Sequence, residues 1–498
     1  MEVIDSKRED IVNFFIKKDM FLGPEFLDYI KDNNIVEHIH NLIKEKGDKI
    51  DMNILSQELI SIGGNTLESL NTEQNPLKSE NENVIVKFSY DQKPQKKSVA
   101  DFFSYFRERF KTIESMLRGR VELQNIVSIN RLVNKKEKEN VSLIGMVGDK
   151  NMTKNGNYIL TLEDLTGSIK ILVNKNKPEL IEIVKDIVCD EVIGINGSSG
   201  DNIIFVDNIL LPDIPLTKEF KKAPYESYII FLSDFHVGSK FFLEEKFLKF
   251  IGWISGKSGS DKQKEIASKV SHILVIGDIV DGVGIYPGQE SELEITDIIE
   301  QYEKCAEYLK MIPEHIKIII CPGNHDAMRI AEPQPPLYDD FAASIYNLPN
   351  VILVSNPSIV NIGKTEEFEG FDILIYHGYS FDYYVRNVES IRNNGGYDRA
   401  DLIMKFLLQR RHLAPSYTST LFIPTPEKDN LIISKIPDIF ATGHIHKTAV
   451  SSYRNITMIC GSCWQSTTPF QVKVGHHPEP ARVPILNTQT REVKILKF

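Results

Sequence analysis

At 498 residues the chain is too long for one hydrophobic core, and roughly two to four domains are expected. With 42% hydrophobic and 26% charged residues it has the make-up of an ordinary globular protein, and no apolar run reaches membrane-spanning length. A net charge of −11, from 58 basic and 69 acidic residues, excludes a protein that coats nucleic acid by bulk charge, so a phosphate-bearing partner must be met by a small basic patch, by metal ions or through another subunit.

Taken in chain order, residues 1–70 read as a small helical domain. Ser6-x-x-Glu9 has the form of a capping box, Pro24 sits where a second helix would start, and Gly63-Gly64 reads as a helix stop. His38 and His40 in this region read as surface histidines rather than a metal site. The first ten residues lack the apolar core of a signal peptide, so a cytoplasmic location is expected. Five cysteines make no disulfide framework, and Cys460-Gly461-Ser462-Cys463 reads as buried thiols in a core strand.

Residues 71–98 are polar and are expected to form a flexible linker. An aromatic-rich helix is predicted over 99–120, with Phe102, Phe103, Phe106, Phe110 and Ile113 on it. Lys96-x-x-Val99-x-x-Phe102-Phe103 resembles a sliding-clamp-binding peptide; a helix packing its Phe residues on the next domain is the favoured reading. Short alternating runs with a Gly-containing turn over 121–216 predict a small barrel, and Glu163-Asp164-Leu165-Thr166-Gly167 resembles the OB-fold pattern. Lys135, Lys136, Lys138, Lys150, Lys154, Lys175 and Lys177 give this barrel charge, with Tyr158 and Phe205 nearly its only aromatics, so contact with DNA and contact with a subunit are equally expected.

Residues 222–498 alternate strands and helical stretches, the pattern of an α/β domain. Five apolar runs end in polar clusters: Tyr228-Ile229-Ile230-Phe231-Leu232 before Asp234 and His236, Ile273-Leu274-Val275-Ile276 before Asp278 and Asp281, and Ile316-Lys317-Ile318-Ile319-Ile320 before Asn324, His325 and Asp326. Phe371-Asp372-Ile373-Leu374-Ile375-Tyr376 leads to His377, and Asp438-Ile439-Phe440-Ala441-Thr442 to His444 and His446. The ends of such strands are where α/β folds gather ligands, and one site assembled from five strand ends is predicted. Alone, His236 or His377 would read as a satisfied core histidine and Asp278 as a helix cap, but seven such residues all at strand ends argue against coincidence. Two aspartates, four histidines and one carboxamide, without a Cys, suit divalent manganese, iron or zinc, and are too many for one ion. If one carboxylate bridges, two ions about 3.5–4 Å apart would use them all.

The ordered segments DxH, GDxxD, GNHD, H and GHxH resemble the calcineurin-like metallophosphoesterase superfamily, which implies a β-sandwich flanked by helices, here preceded by the OB-like barrel and the helical N-terminal domain. Carried over residue by residue, the resemblance implies that Asp234, His236, Asp278 and His446 hold one ion and that Asp278, Asn324, His377 and His444 hold the other. It implies that His325 acts on the leaving oxygen and that Asp281 orients His325; an exposed turn residue is the competing reading of Asp281.

The barrel placed before this domain, with Gly282-Val283-Gly284-Ile285-Tyr286-Pro287-Gly288, Arg410-Arg411-His412-Leu413-Ala414-Pro415 and Trp464-Gln465-Ser466-Thr467-Thr468-Pro469-Phe470-Gln471, resembles the small subunits of archaeal D-family DNA polymerases. That resemblance covers the chain from Val99 on, and implies a metal-dependent 3′–5′ exonuclease for proofreading, with two manganese ions foremost and iron, zinc or magnesium as alternatives. The implied partners are DNA, a large catalytic polymerase subunit and a sliding clamp, with no membrane. A catalytically minor scaffold subunit and a phosphoesterase of small substrates are the competing functions. Arg386, Arg392, Arg410 and Arg411 are candidates for DNA-backbone contact, and Tyr383, Tyr384 and Tyr417 for stacking on a frayed base or for packing.

Overall fold

A computed structural model describes residues 84–92, 95–133 and 138–498, with scattered helical positions before residue 45 such as Ile11, Val36 and Ile39. The chain divides into two units, Met1–Lys78 and Ser79–Phe498. The domain expected over 1–70 therefore lies mostly outside the described residues, as do 71–83, Lys135 and Lys136. His40, read as a surface residue, is buried. Among the described residues no helix is long and apolar enough to cross a membrane.

In chain order the strands are β1 (Val84–Ser89), β2 (Asn140–Met152), β3 (Tyr158–Asp164), β4 (Gly167–Val173), β5 (Val192–Ser199), β6 (Ile203–Leu210), β7 (Tyr228–Leu232), β8 (Val270–Ile276), β9 (Lys317–Cys321), β10 (Val351–Leu353), β11 (Ser358–Ile362), β12 (Phe371–Ile375), β13 (Ile439–Thr442), β14 (Ala449–Tyr453), β15 (Ile456–Cys460), β16 (Arg482–Asn487) and β17 (Val493–Lys497). Two six-stranded sheets, ordered β1-β11-β12-β13-β15-β14 and β10-β9-β8-β7-β16-β17, form a sandwich. Ile229, Phe231, Leu274 and Ile276 of one sheet share a core with Ile373, Ile375, Ile439 and Ile459 of the other. The alternate residues of the second sheet, Ile230, Leu232, Ile273 and Val275, face outward into a core with the helices Glu244–Ile254 and Ile298–Lys310. Leu374, Phe440 and Met458 of the first sheet do the same beneath Phe381–Asn387 and Ala400–Arg410. The central strands are thus buried on both faces, which is why their sequences are continuous apolar runs rather than alternations. Each such Ile or Leu contributes about 1.5–3 kcal/mol by leaving water.

The barrel closes in the order β2-β3-β4-β6-β5, with β4 and β6 parallel. Leu143, Val147, Leu160, Leu162, Ile171, Ile193 and Ile204 fill it, and the helix Pro178–Lys185 packs Leu180 and Val184 on the same core.

Part of the stretch expected to be linker proves to be structure. Val84 and Val86 are buried in the sandwich core, Lys87 pairs with Asp372, and β1 joins β11 antiparallel, so the short alternation Val84-Ile85-Val86-Lys87 outweighs its polar surroundings.

The helix Val99–Arg118 is a wedge between barrel and sandwich. Phe110, Ile113 and Leu117 pack with Leu123, Ile144, Val192 and Leu210 of the barrel side. On the sandwich side Asp429 accepts hydrogen bonds from Tyr105 Oη (2.7 Å), Arg109 Nε (2.7 Å) and His412 Nε2 (2.8 Å), all buried. Burial and the charge of Arg109 push His412 down to about 4, so at neutral pH it is an uncharged donor to Asp429. Phe102 meets Phe422 edge-on, while Val99 and Phe103 project to solvent.

Candidate metal centre

The polar clusters leave β7, β8 and β9 of one sheet and β12 and β13 of the other at the same edge of the sandwich. Asp234 (φ 53°), His236 (54°), Asp278 (52°), His444 (72°) and His446 (55°) all stand in the left-handed region, where a residue with a side chain costs about 1–3 kcal/mol and persists only when its surroundings fix it. The loops supply that constraint: Asp234 N donates to Gly277 O (3.0 Å), His236 N to Asp278 O (3.0 Å) and Gly443 N to His377 O (2.9 Å). Two glycines permit the close approach. A Cβ on Gly277, at φ 76°, would lie 2.4 Å from His377 Nδ1, and one on Gly323 would lie 2.2 Å from Asp278 Oδ1.

Seven side chains come together here. His446 Nε2 lies 3.4 Å from Asp234 Oδ1 and 3.1 Å from His236 Nε2, and His236 Nε2 lies 4.0 Å from Asp278 Oδ2. His377 Nε2 stands 3.3 Å from Asp278 Oδ2 and 3.0 Å from Asn324 Oδ1. Ligand atoms of Asp234, His236 and His446, and of Asp278, His377 and His444, lie within 4.8 Å of one another in each group. Asp234, His236, Asp278 and His377 are buried, whereas Asn324, His325 and His444 are only half-buried and form the open side.

The donor and acceptor pattern fits cations. His377 Nδ1 is committed to the carbonyl of Ile276 (2.9 Å), so in the neutral ring Nε2 offers a lone pair to two oxygens that can only accept. His236 Nδ1 is likewise committed to Asp281 Oδ1 (3.1 Å), leaving its Nε2 lone pair facing His446. Asp234 Oδ1 is buried without a hydrogen-bond partner. Burial would raise the Asp278 carboxyl, yet His377, His325 and His236 around it hold it well below the usual carboxylate range. His377, which burial would lower, is raised to about 10 chiefly by the Asp278 charge. Such mutual dependence of anion and imidazole is what a shared cation would relieve. Asp278 stands between the two groups, its Oδ2 3.3 Å from His377 Nε2 and 4.0 Å from His236 Nε2, and each group could hold a metal ion.

His325 borders the site with its backbone N donating to Asp278 Oδ1 (2.8 Å), its Nδ1 facing the Asp281 carbonyl oxygen (2.8 Å) and its ring edge-on to His236. Asp281 is neither exposed nor an orienter of His325 through its carboxylate. It is buried, and its Oδ1 meets His236 Nδ1 and Gln465 Nε2 (3.0 Å), while Oδ2 accepts from Gln289 Nε2 (3.1 Å). The expected role is corrected because the residue three places after Asp278 turns its side chain toward the β7 loop. Asp326 turns away from the open side and accepts from the backbone N of Asp278 (2.9 Å) and Gly323 (2.8 Å), tying two loops together. Three partners of the histidines escaped the reading of the sequence: Asp382 on His444 Nε2 (3.3 Å), Gln471 on His446 Nδ1 (3.0 Å) and Gln465 through Asp281.

The basic candidates divide. Arg410 and Arg411 do not serve a DNA backbone: Arg410 is 4% exposed, lies on the Phe406 ring and pairs with Glu191 of the barrel side (2.9 Å), and Arg411 donates to the carbonyls of Ile433 (2.7 Å) and Ser434 (2.8 Å). Both are interior fasteners, since a guanidinium tolerates burial when its N–H groups are met. Arg386 and Arg392 are exposed. Tyr384 is fully buried, Tyr383 half-buried and Tyr417 47% exposed.

The B-subunit family of DNA polymerases alpha and epsilon matches residues 229–450. Over 400 residues the chain is 40% identical to a DNA polymerase II small subunit of Methanothermobacter thermautotrophicus, covering 80% of each. It is 40% identical over 392 residues to that of Methanocaldococcus jannaschii and 38% identical over 404 to that of Pyrococcus furiosus, covering 78% and 80% of this chain and 64% of each relative. The match thus spans a little under two thirds of the latter two proteins.

Proposed function

The chain belongs to the family of archaeal DNA polymerase II small subunits, and from that premise we propose that it partners a large catalytic subunit and carries a metal-dependent 3′–5′ exonuclease centre at the sandwich edge. The observation that carries this reading is the convergence of Asp234, His236, Asp278, Asn324, His377, His444 and His446, with acceptor atoms turned on one another and on the buried Asp234 Oδ1. On this reading the sandwich is a calcineurin-like metallophosphoesterase domain and the barrel, with its β2-β3-β4-β6-β5 order, an OB-fold.

Two divalent ions held there, manganese foremost, would supply Lewis acidity and neutralise the charge that builds on a phosphodiester during hydrolysis. Asp234, His236, Asp278, Asn324, His377, His444 and His446 would hold them. The half-buried Asn324, His325 and His444 face the side from which a phosphodiester arrives, while the buried ligands behind them exclude bulk water. His325 is fixed by its backbone N on Asp278 and by its Nδ1–H donated to the Asp281 carbonyl, which leaves Nε2 as the atom that would pass a proton to a departing 3′ oxygen. Metal ions bound there would also supply the local positive charge that the acidic composition withholds.

The deciding experiment is to incubate the purified chain, alone and with the large subunit, with end-labelled DNA in manganese and in chelator. Manganese-dependent release of nucleotides from unpaired 3′ ends, lost in Asp278→Asn, supports the reading. Undiminished digestion by Asp278→Asn or in chelator overturns it.

A further inference from the structure

A cleft of about 720 Å³ opens beside the metal centre, within the ~300–1,000 Å³ of cavities that seat a sizeable ligand. One wall is the segment Tyr379, Asp382, Tyr383 and Arg386 that follows His377; the other is formed by Tyr417, residues 418–421 and Phe422, with Phe102 of the wedge helix. Two residues of the cleft wall touch the centre. Asp382 Oδ2 is 3.3 Å from His444 Nε2, and the Tyr379 ring meets the His444 ring edge-on at 5.9 Å.

We propose that this cleft seats the unpaired 3′-terminal nucleotides of a single strand, with bases stacked on Tyr417 and Tyr383 and the backbone met by Arg386; the inference rests on the exonuclease reading of the centre. The rings are fixed platforms. Tyr417 packs edge-on against Phe422 at 5.2 Å and its backbone N donates to Asp190 Oδ2 (2.8 Å), while Tyr383 Oη shares a hydrogen bond with Ser416 Oγ (3.2 Å). A ring held in place yet half open to solvent offers a π face at little cost in ordering, and every base has a face to match it. In a duplex those faces are covered by neighbouring bases, so the cleft favours a frayed end. The Ser419 and Thr420 hydroxyls are buried and donate to the carbonyls of Ser416 (2.6 Å) and Leu421 (3.2 Å), so this wall meets the strand through rings rather than hydrogen bonds, and its carboxylate, Asp382, is turned to His444, leaving Arg386 as the charge presented to a phosphate.

The test separates binding from hydrolysis by using the full chain carrying Asp278→Asn, with a single-stranded oligodeoxynucleotide bearing 2-aminopurine at its 3′ end. The parent is expected to bind it and to quench the terminal fluorescence. Adding Tyr417→Ala weakens binding roughly 5- to 100-fold and restores the fluorescence, whereas Tyr417→Phe behaves as the parent. Arg386→Ala flattens the dependence of affinity on salt. Unchanged affinity and quenching in Tyr417→Ala, or a parent that does not bind the strand, would each overturn the proposal. Stacking on Tyr417 in a protein whose wild type shows no manganese-dependent hydrolysis would sink the exonuclease reading while leaving the cleft; hydrolysis indifferent to Tyr417 would do the reverse.

Discussion

The Asp281 carboxylate stands 3.1 Å from His236 Nδ1, while only its backbone carbonyl reaches the His325 ring. A carboxylate behind a ligating imidazole fixes the tautomer that presents Nε2 and raises the ligand's basicity. Asp281→Ala should therefore weaken metal retention roughly 10- to 100-fold, measured by titrating manganese into metal-free protein. Full metal affinity with a change only in the pH profile of turnover would place the carboxylate on His325 instead.

His325→Ala removes the imidazole but keeps the backbone N that donates to Asp278 Oδ1. Metal content should stay at the wild-type level while turnover falls about 10²- to 10⁴-fold, the usual worth of a positioned proton donor. Elemental analysis beside single-turnover rates distinguishes this from a ligand, whose loss would empty the site.

Glu332 is fully buried, accepts a hydrogen bond from Tyr376 Oη (3.1 Å), and is pushed by that burial up to about 7 from an ordinary 4.5. Between those values the folded protein holds a proton that the unfolded chain has released, so stability falls as pH rises through the window and levels off above 7. Glu332→Gln, which matches the protonated acid, should gain up to about 3 kcal/mol over wild type at pH 8 and nothing at pH 4. Thermal melts across pH test it; equal pH slopes for the two proteins would show that Glu332 ionises normally.

Arg109→Met strands Asp429 in the interior with a neutral His412 and Tyr105 as its remaining side-chain partners. A loss of about 3–5 kcal/mol is expected in urea unfolding. The double variant Arg109→Met, Asp429→Leu should recover part of it, because no unpaired charge is then left behind.

The sandwich strands were legible because burial on both faces turns them into unbroken runs such as Ile318-Ile319-Ile320, and the polar cluster after each run marked the edge where they converge. The left-handed backbone at Asp278 or His444 was not legible, because aspartate and histidine, though enriched in that region, occupy it only in a small minority of cases. Arg410 and Arg411 misled because charge suggests surface, and their partners Glu191, Ile433 and Ser434 are distant along the chain or are carbonyls that no sequence pattern reveals. Asp382 and Gln471 were missed for a related reason: a group that acts only through another's imidazole carries no motif of its own.

Because β1 belongs to the sandwich while the barrel follows it and precedes β7, the barrel is threaded as an insertion, leashed to its host at entry and at exit. A single nick in either leash would leave both bodies attached, the severed end still stitched along β11. Release of the barrel would require two cuts, and the sandwich's first edge strand, made early in synthesis, must wait for β11 to emerge before it has a neighbour to pair with.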